Sequence, residues 1–365
     1  MPTASPLPPA GHELYGFVPY WEMDDTIIQH LNSSPVGTIA LFSVTTTAAG
    51  TVDTTLAGYK RITSLLGRTI VDAVHGSGHR VDLVFSSFGT SRNKSFFGKI
   101  PVQDAAIKSL VALALKIGAD GLVVDVEQLN PTLLDAYGAF VTRLRAALVA
   151  AIPNARMTVA TGASAAGAAI AAVAVQNGAD RVFLMGYDYR VAGSDPGASS
   201  PISRADGGHD LSWSLDLYAS MGIPRQQTLL GLPLYGMVWP VVGPTLGAPS
   251  TGPGAAWIPA DHAAFLASAA KSAVYDDLEG VHVYFLASDG SVGVPNPGAT
   301  ASVDPSRTWK AIYVDTPQTL ARKLELGKRY GLAGGGFWAL GYERGLPGYV
   351  EMLAGYLKGE VLSAP

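Results

Sequence analysis

Eight short apolar runs alternate with helix-period segments along this sequence. Runs this continuous are typical of parallel strands covered on both faces, since a half-exposed strand would show alternating polar positions. Eight strand–helix units in succession favour an α/β fold, a (β/α)8 TIM barrel, over its rival, a doubly wound sheet. The runs span residues 14–21, 36–44, 81–89, 120–127, 156–161, 181–189, 228–236 and 334–342.

The segments between these runs carry helix signals. Ile107 and Leu110 belong to one apolar face of a segment that Gly118 can end. Pro317 stands where the first helical turn tolerates proline, and Gly331 follows the same segment. These start and stop signals support the strand–helix alternation.

One interval, between the seventh and eighth runs, is too long for a simple helical return. Within it, Asp289 and Gly290 lie between β-rich arms and predict a hairpin turn. We therefore predict a small α+β insertion between strands 7 and 8, at residues 240–310. The proline-rich residues 1–13 predict an extended tail, so the barrel is expected at 14–365.

The composition excludes several classes of protein and binding partner. Of 365 residues, 48% are hydrophobic and 15% are charged, which fits a folded globule. The net charge of −4 gives no reason to expect binding to nucleic acid or to an anionic membrane. With no cysteine, the chain has no disulfide framework and no thiolate metal site. No apolar run is long enough to predict a spanning helix, and the N-terminal residues lack the basic and apolar regions of a signal peptide.

Two carboxylates in the fourth run are candidate catalytic groups. Asp125 and Glu127 are two residues apart, so they share one face of a strand and would lie near its carboxyl end. Barrel enzymes place catalytic groups at that end. When two acids lie close together at an apolar barrel end, the pKa of one of them is raised. Cleavage of a glycosidic bond needs such a protonated acid. Solvated acids, or acids paired with arginine, would explain the same pattern.

The run resembles the signature of glycoside hydrolase family 18, the chitinase-like barrels, which is D-x-x-D-x-D-x-E at the end of strand four. The resemblance extends over residues 14–343 and also covers the runs that hold YGFVPYW, GLPLYG and GGGFWALGYE. MGYDY is similar to the M-x-Y-D of the family's sixth strand. The matching residues are Asp120, Asp125, Glu127, Met185, Tyr187, Asp188 and Trp338.

The resemblance implies substrate-assisted catalysis on an oligo- or polysaccharide that contains N-acetylglucosamine. Glu127 would protonate the leaving oxygen while the substrate's acetamido oxygen attacks the anomeric carbon, and Asp125 would hold the acetamido N–H. Tyr187 would bond the acetamido oxygen, and Asp188 would help to position the sugar. The configuration would be retained, and neither a metal nor an organic cofactor is implied.

The same resemblance implies a substrate-binding set. Trp338 would form the floor beneath the sugar that is cleaved, although a tryptophan considered alone is more often core. Tyr20 and Trp21 are weaker candidates for subsite walls, and sealing the end of the barrel is their alternative role. The full set of predicted substrate-binding residues is Trp338, Tyr235, Met185, Tyr20, Trp21 and Ser86.

Two positions depart from the family pattern. Val123 stands where the signature usually carries an Asp, so Asp125 loses an inward partner. Phe88 replaces a glycine of the family's third strand and is expected to reshape the cleft. Some relatives among spore and cell-wall enzymes share the first departure, which favours peptidoglycan or short oligosaccharides over crystalline chitin.

Two alternatives remain at this stage. A non-catalytic, lectin-like sugar-binding protein could use the same barrel, although such relatives usually lack the acid that Glu127 supplies here. An endoglycosidase acting on protein-linked glycans would differ in the shape of its cleft rather than in its chemistry. The substrate logic predicts a secreted or cell-wall-associated protein, and we expect a monomer.

Overall fold

The computed structural model describes residues 13–293 and 307–360. Eight strands close into a barrel in which neighbours in the chain are neighbours in the sheet, and the last strand pairs in parallel with the first. This confirms the predicted (β/α)8 barrel. The barrel strands are β1 (Glu13–Pro19), β2 (Thr38–Val44), β3 (Arg80–Phe88), β4 (Gly121–Glu127), β5 (Arg156–Gly162), β6 (Arg181–Met185), β7 (Thr228–Pro233) and β14 (Gly334–Trp338).

The helices end where the sequence predicts. Gly118 adopts a left-handed conformation, with φ of 77°, and terminates the long helix before β4. Pro317 is the first residue of the helix before β14, and Gly331 follows that helix with φ of 72°. The α-helices are α1 (Ile27–Ser33), α2 (Ala57–Ile62), α3 (Leu65–Gly76), α4 (Thr90–Phe97), α5 (Ile100–Ile117), α6 (Leu134–Ala151), α7 (Ala165–Gln176), α8 (Leu211–Ser220), α9 (Ala263–Ala269), α10 (Pro317–Arg329) and α11 (Tyr349–Lys358).

Short 3₁₀ helices complete the described structure. They span Pro131–Leu133, Arg225–Gln227, Pro259–His262 and Ala270–Ser272. Within residues 13–293 and 307–360, none of the helices combines the length and apolar character needed to cross a membrane.

The chain folds into two compact units. The first, which we call the barrel unit, comprises the chain as far as Met185 together with Leu215–Gly231 and Gly327–Leu340. The second, which we call the insertion unit, comprises Gly186–Ser214, Leu232–Leu326 and the chain from Gly341 onward.

Aromatic rings fill the interior of the barrel unit. The rings of Phe17 and Phe183 meet edge to face with centroids 4.8 Å apart. Gly231 and Gly336 make room for Phe183, because a Cβ atom at either position would lie 2.4 Å from its ring. The lack of a side chain at these glycines therefore sets the packing of the barrel interior.

A buried polar network closes the amino-terminal end of the barrel strands. The Arg181 guanidinium donates to the Glu13 carboxylate at 2.5 and 2.8 Å, and both side chains are buried. The Tyr15 hydroxyl donates to the Asp82 carboxylate at 2.7 Å. Burial raises the pKa of Asp82 to about 6. This end of the barrel is therefore polar, and these ionisable side chains are buried.

The insertion unit contains an antiparallel sheet in the order β10-β11-β13-β8-β9, and β12 pairs with β11. Its apolar side packs against α9 through a cluster that includes Trp257, Tyr284 and Ile312. The strands are β8 (Gly236–Val241), β9 (Ala255–Trp257), β10 (Val274–Asp276), β11 (Val281–Ala287), β12 (Val292–Gly293) and β13 (Trp309–Val314).

The predicted hairpin is present. β11 and β12 pair antiparallel around Asp289 and Gly290, and Gly290 has a φ of 83° that suits glycine. The antiparallel sheet as a whole begins at Gly236 and ends at Val314. The predicted limits of the insertion, 240–310, and of the tail, 1–13, stay predictions, and residues 1–12 and 294–306 lie outside the described residues.

Candidate active site

Strand β4 carries the two predicted acids at its carboxyl end. Glu127 is the last residue of the strand and lies in register with Phe88 of β3, and Asp125 lies in register with Ser86. Asp125 is buried, with 4% of its surface exposed, whereas Glu127 is partly exposed. The strand therefore presents one buried and one accessible carboxyl on the same face.

Burial dominates the chemistry of Asp125. It raises the pKa of this carboxyl well above the ordinary range of aspartate, and the nearby charge on Glu127 raises it further. Among the described residues, Oδ1 of Asp125 has no hydrogen-bond partner. Both effects favour the protonated form, so the acid pair retains a proton at a higher pH than two solvated acids would.

Val123 lies one step deeper on the same face of β4. Its side chain is fully buried, in register with Val84 of β3 and Thr158 of β5. A hydrocarbon side chain therefore lies beneath Asp125 at the position where the family signature carries an acid.

Aromatic side chains gather at the carboxyl ends of β1, β2 and β14. The ring of Trp338 lies 4.7 Å from Phe42 and 6.3 Å from Trp21, measured between centroids. Tyr20 meets Trp21 edge to face at 4.9 Å, and 49% of the surface of Trp21 is exposed. The structure thus brings together three of the predicted subsite residues of the barrel unit.

Two further aromatic residues extend this group. Phe88, with 43% of its surface exposed, stacks on Phe42 with centroids 6.4 Å apart and planes 22° from parallel. Sequence reasoning missed Phe42, and its position at the end of an apolar run next to Ser43 was the only available signal. The predicted Ser86 is buried, and its hydroxyl lies 2.9 Å from that of Ser43.

The remaining predicted residues follow β6 and β7 in the chain. Strand β6 ends at Met185, so the prediction of a strand as far as residue 189 was wrong. Asp188 has a φ of 60°, a left-handed conformation that no regular strand contains. The Tyr187 ring meets the Tyr235 ring edge to face at 6.3 Å, and Tyr235 is buried.

A hydrogen-bond network within the insertion unit fixes Asp188. Its carboxylate accepts a hydrogen bond from the Tyr235 hydroxyl, and Ser199 donates to that hydroxyl at 3.1 Å. The backbone N–H of Asp188 donates to Oγ of Ser199 at 3.0 Å. Burial raises the pKa of Asp188, and the hydrogen bonds of Tyr235 and Ser199 partly offset that rise. Ser199 was not predicted, because an isolated serine in a loop carries no functional signal.

Within the described part of the chain, no three His, Asp or Glu side chains are grouped so that they could hold a metal ion. The carboxyl pair of β4, which lies next to an aromatic surface, can carry out proton transfer.

The sequence model of glycosyl hydrolases family 18 matches residues 80–343, which include β3 to β14 and the acid-bearing strand. The chain belongs to glycosyl hydrolase family 18. It is therefore a glycoside hydrolase. The resemblance predicted from the motifs is confirmed.

Solved structures of family 18 share this fold. The spore cortex-lytic enzyme SleL of Bacillus cereus has a TM-score of 0.72 and 18% identity, over 97% of this chain and 75% of that one. A class V chitinase from Nicotiana tobaccum has a TM-score of 0.77 and 15% identity, over 94% and 98% of the two chains. The Group IV chitinase of Ostrinia furnacalis, solved with allosamidin, has a TM-score of 0.75 and 15% identity, over 96% and 100%. At these identities the likeness concerns the fold alone, and no curated protein sequence matches the chain significantly.

Proposed function

We propose that the chain is a retaining glycosidase that cleaves β-1,4 bonds adjacent to N-acetylglucosamine by substrate-assisted catalysis. The observation that carries the proposal is the carboxyl pair of β4. Asp125 is buried with a raised pKa, and the accessible Glu127 stands two residues later at the carboxyl end of a family 18 barrel. Because the two carboxyl groups interact, the proton that they retain belongs to the pair. When it lies on Glu127, that residue is the proton donor and the ionised Asp125 can balance developing positive charge.

In the proposed first step, the Glu127 carboxyl gives its proton to the glycosidic oxygen as the bond from that oxygen to the anomeric carbon breaks. The substrate's acetamido oxygen forms the new bond to the same carbon, which yields an oxazolinium ion. Asp125 accepts a hydrogen bond from the acetamido N–H and stabilises the positive charge of the oxazolinium ring. In the second step, Glu127 takes a proton from water, and the water oxygen attacks the anomeric carbon as the bond from that carbon to the acetamido oxygen breaks, with net retention.

Three further roles complete the proposal. Tyr187 would donate to the acetamido oxygen, and Asp188 would hold the sugar and the acid network. Trp338 would lie beneath the sugar ring, because the C–H face of a sugar packs on an aromatic plane. The contacts of Trp338 with Phe42 and Trp21, and the network that fixes Asp188, support side chains held ready in one conformation.

The relatives support the substrate class. A chitinase from Cycas revoluta was solved with (GlcNAc)3, and a mutant of the tobacco chitinase was solved with NAG4. The Bacillus relative is a spore cortex-lytic enzyme. We propose a substrate with N-acetylglucosamine next to the cleaved bond, in peptidoglycan or in chitooligosaccharides, and a site of action outside the cytoplasm.

The test compares fully N-acetylated oligosaccharides with their de-N-acetylated counterparts. Without the acetamido group the internal nucleophile is lost, so we expect hydrolysis to fall by about 100-fold or more. The first product released from the acetylated substrate should be the β-anomer, observed by NMR before mutarotation. Equal cleavage of both substrates, or an α-anomer as first product, would exclude the proposed mechanism.

A further inference from the structure

Strand pairing at the end of β4 that carries Glu127 differs between the two sides of the strand. Pairing between β4 and β5 ends at Asp125, which lies opposite Ala160. Pairing between β3 and β4 continues two residues further, to Phe88 and Glu127. The backbone of Glu127 therefore extends beyond the pairing with β5, and its place in the sheet is set by its pairing with β3.

The carbonyl oxygen of Glu127 accepts two hydrogen bonds on that side. The N–H of Gly89 donates at 3.3 Å, and the side-chain amide nitrogen of Asn93 donates at 2.6 Å. Asn93 belongs to α4, which follows β3 directly, and its side chain is fully buried. The shorter bond therefore comes from a side chain rather than from the sheet.

The amide of Asn93 has only one orientation that satisfies both of its neighbours. Its oxygen accepts a hydrogen bond of 2.7 Å from the hydroxyl of Ser87, which is also buried. Its nitrogen must then face Glu127, whose carbonyl oxygen can only accept. Ser87, Asn93 and the Glu127 carbonyl form a continuous chain of hydrogen bonds that fixes the peptide plane after Glu127.

The backbone immediately beyond this plane is strained. Gln128 has a φ of 59°, a left-handed conformation that costs roughly 1 kcal/mol or more for a residue with a Cβ atom. Such a conformation persists only where the surrounding structure holds it in place. The hydrogen bonds to the Glu127 carbonyl stabilise the chain at the peptide group that joins Glu127 to Gln128.

We infer that Asn93 is a positioning residue for the carboxyl group of Glu127. Without its amide, the Glu127 carbonyl loses the shorter of these two hydrogen bonds, so the peptide plane between Glu127 and Gln128 is held less firmly. Rotation of that plane moves the Cα–Cβ bond that aims the carboxyl. An acid must lie within hydrogen-bonding reach of the oxygen that it protonates, so a displacement of about 1 Å lowers the rate steeply. The inference rests on the proposed role of Glu127.

The competing explanation is that Asn93 only fastens α4 to the barrel. Gln103 of α5 offers a matched control. It is a buried amide whose nitrogen donates to a main-chain oxygen, that of Phe97, at 2.9 Å. It therefore resembles Asn93 in burial and bonding, but it does not bind the strand that carries the acids.

The first test measures kcat, KM and the thermal midpoint for wild type, Asn93→Ala and Gln103→Ala on an acetylated chitooligosaccharide. Both variants should lose stability. Asn93→Ala alone should lower kcat, by about 10- to 100-fold, with KM changed by less than about threefold. A full kcat in Asn93→Ala, or an equal loss in Gln103→Ala, would overturn the inference.

A second variant, Asn93→Asp, has nearly the same shape and tests the hydrogen bond itself. An ionised aspartate can only accept, so it repels the Glu127 carbonyl, whereas a protonated one can donate to it. The ratio of its kcat to that of wild type should therefore rise as the pH falls from about 7 to about 5, since burial raises the pKa of a carboxyl. A ratio independent of pH would contradict the positioning role.

The outcomes separate the two proposals. If wild type cleaves the substrate and both Asn93 variants match it, the inference fails and the proposed function stands. If wild type cleaves neither chitooligosaccharides nor a peptidoglycan digest, the proposed function fails and the inference fails with it.

Discussion

The charge on Glu127 raises the pKa of Asp125, which stands two residues before it on the same face of β4 and whose own burial raises that pKa still more. Because the two carboxyl groups interact, the proton belongs to the pair rather than to either residue. A pair that keeps its proton to a higher pH than solvated acids do can act as an acid on a sugar oxygen. The pH dependence of the enzyme should therefore follow the surroundings of Asp125.

Replacing Val123 with aspartate adds a carboxyl beneath Asp125, as in the family signature. Carboxyl groups in contact raise one another's pKa, so we expect the alkaline limb of the pH profile of kcat to move to higher pH. Val123→Asn, which is similar in shape and cannot ionise, should leave that limb in place. Identical profiles for the two variants would contradict this role of the buried position.

The same aspartate should make stability depend on pH. A buried carboxyl has a folded-state pKa above its unfolded value, so its protonated form is favoured on folding. The free energy of unfolding of Val123→Asp, relative to that of Val123→Asn, is then greatest below the unfolded-state pKa. It falls as the pH rises through the folded-state pKa. Thermal midpoints between pH 4 and 8 measure the difference, and parallel curves would contradict it.

Tyr235→Phe removes a hydrogen bond that lowers the pKa of Asp188. Burial then acts with less opposition, so the pKa of Asp188 rises and a higher pH is needed to ionise it. We expect the acid limb of the kcat/KM profile to shift to higher pH. Tyr189→Phe is the control, because the hydroxyl of Tyr189 donates to Ser214 at 2.7 Å. A shift of equal size in the control would show that Asp188 is not the titrating group.

Phe88→Ala removes a half-exposed ring that stacks on Phe42. A sugar bound against this surface loses one aromatic contact, so KM for oligosaccharides should rise by about 2- to 10-fold, the equivalent of about 0.5–1.5 kcal/mol. The thermal midpoint should change little, since the ring is already half-exposed in the folded state. Leu65→Ala, at a highly exposed apolar residue of α3, is the control and should leave KM unchanged. An unchanged KM for Phe88→Ala would place the substrate elsewhere.

Asp82 should make the barrel less stable as the pH rises. Its folded pKa of about 6 lies above its ordinary value of 3.8, so its contribution is full below pH 3.8 and is lost as the pH passes through 6. A difference of about 2 pH units corresponds to roughly 3 kcal/mol. Asp82→Asn can still accept the hydrogen bond of Tyr15 and should lack this dependence. Urea unfolding of wild type and Asp82→Asn at pH 4.5 and 7.5 tests this prediction. Equal losses of stability in the two proteins between these pH values would contradict it.

The barrel was predictable because each strand is an apolar run and each run precedes a helix signal. The end of β6 at Met185 was not predictable. Asp188, three residues later, has a left-handed conformation that aspartate tolerates and that no local sequence pattern indicates. The sheet of the insertion unit was predicted only at its hairpin, because the pairing of β8 with β13 joins segments about seventy residues apart.

The acids of the candidate site were predictable from their spacing on one strand, and their environment was not. The raised pKa of Asp125 depends on burial by neighbouring strands, which only the folded barrel supplies. Asn93 carries no signal in the sequence, because a single asparagine in a polar helix has many possible roles. Its significance comes from its contact with the backbone of Glu127, 34 residues away.

The most direct measurement compares wild type with Glu127→Gln on chitooligosaccharides and on a peptidoglycan digest, with products identified by mass. Glutamine keeps the shape of the side chain but cannot donate the acid proton. The proposed function predicts cleavage by wild type, a loss of about 10²- to 10⁴-fold in the variant, and retained binding of oligosaccharide by both. Undiminished cleavage by Glu127→Gln, or binding without cleavage by wild type, would contradict it.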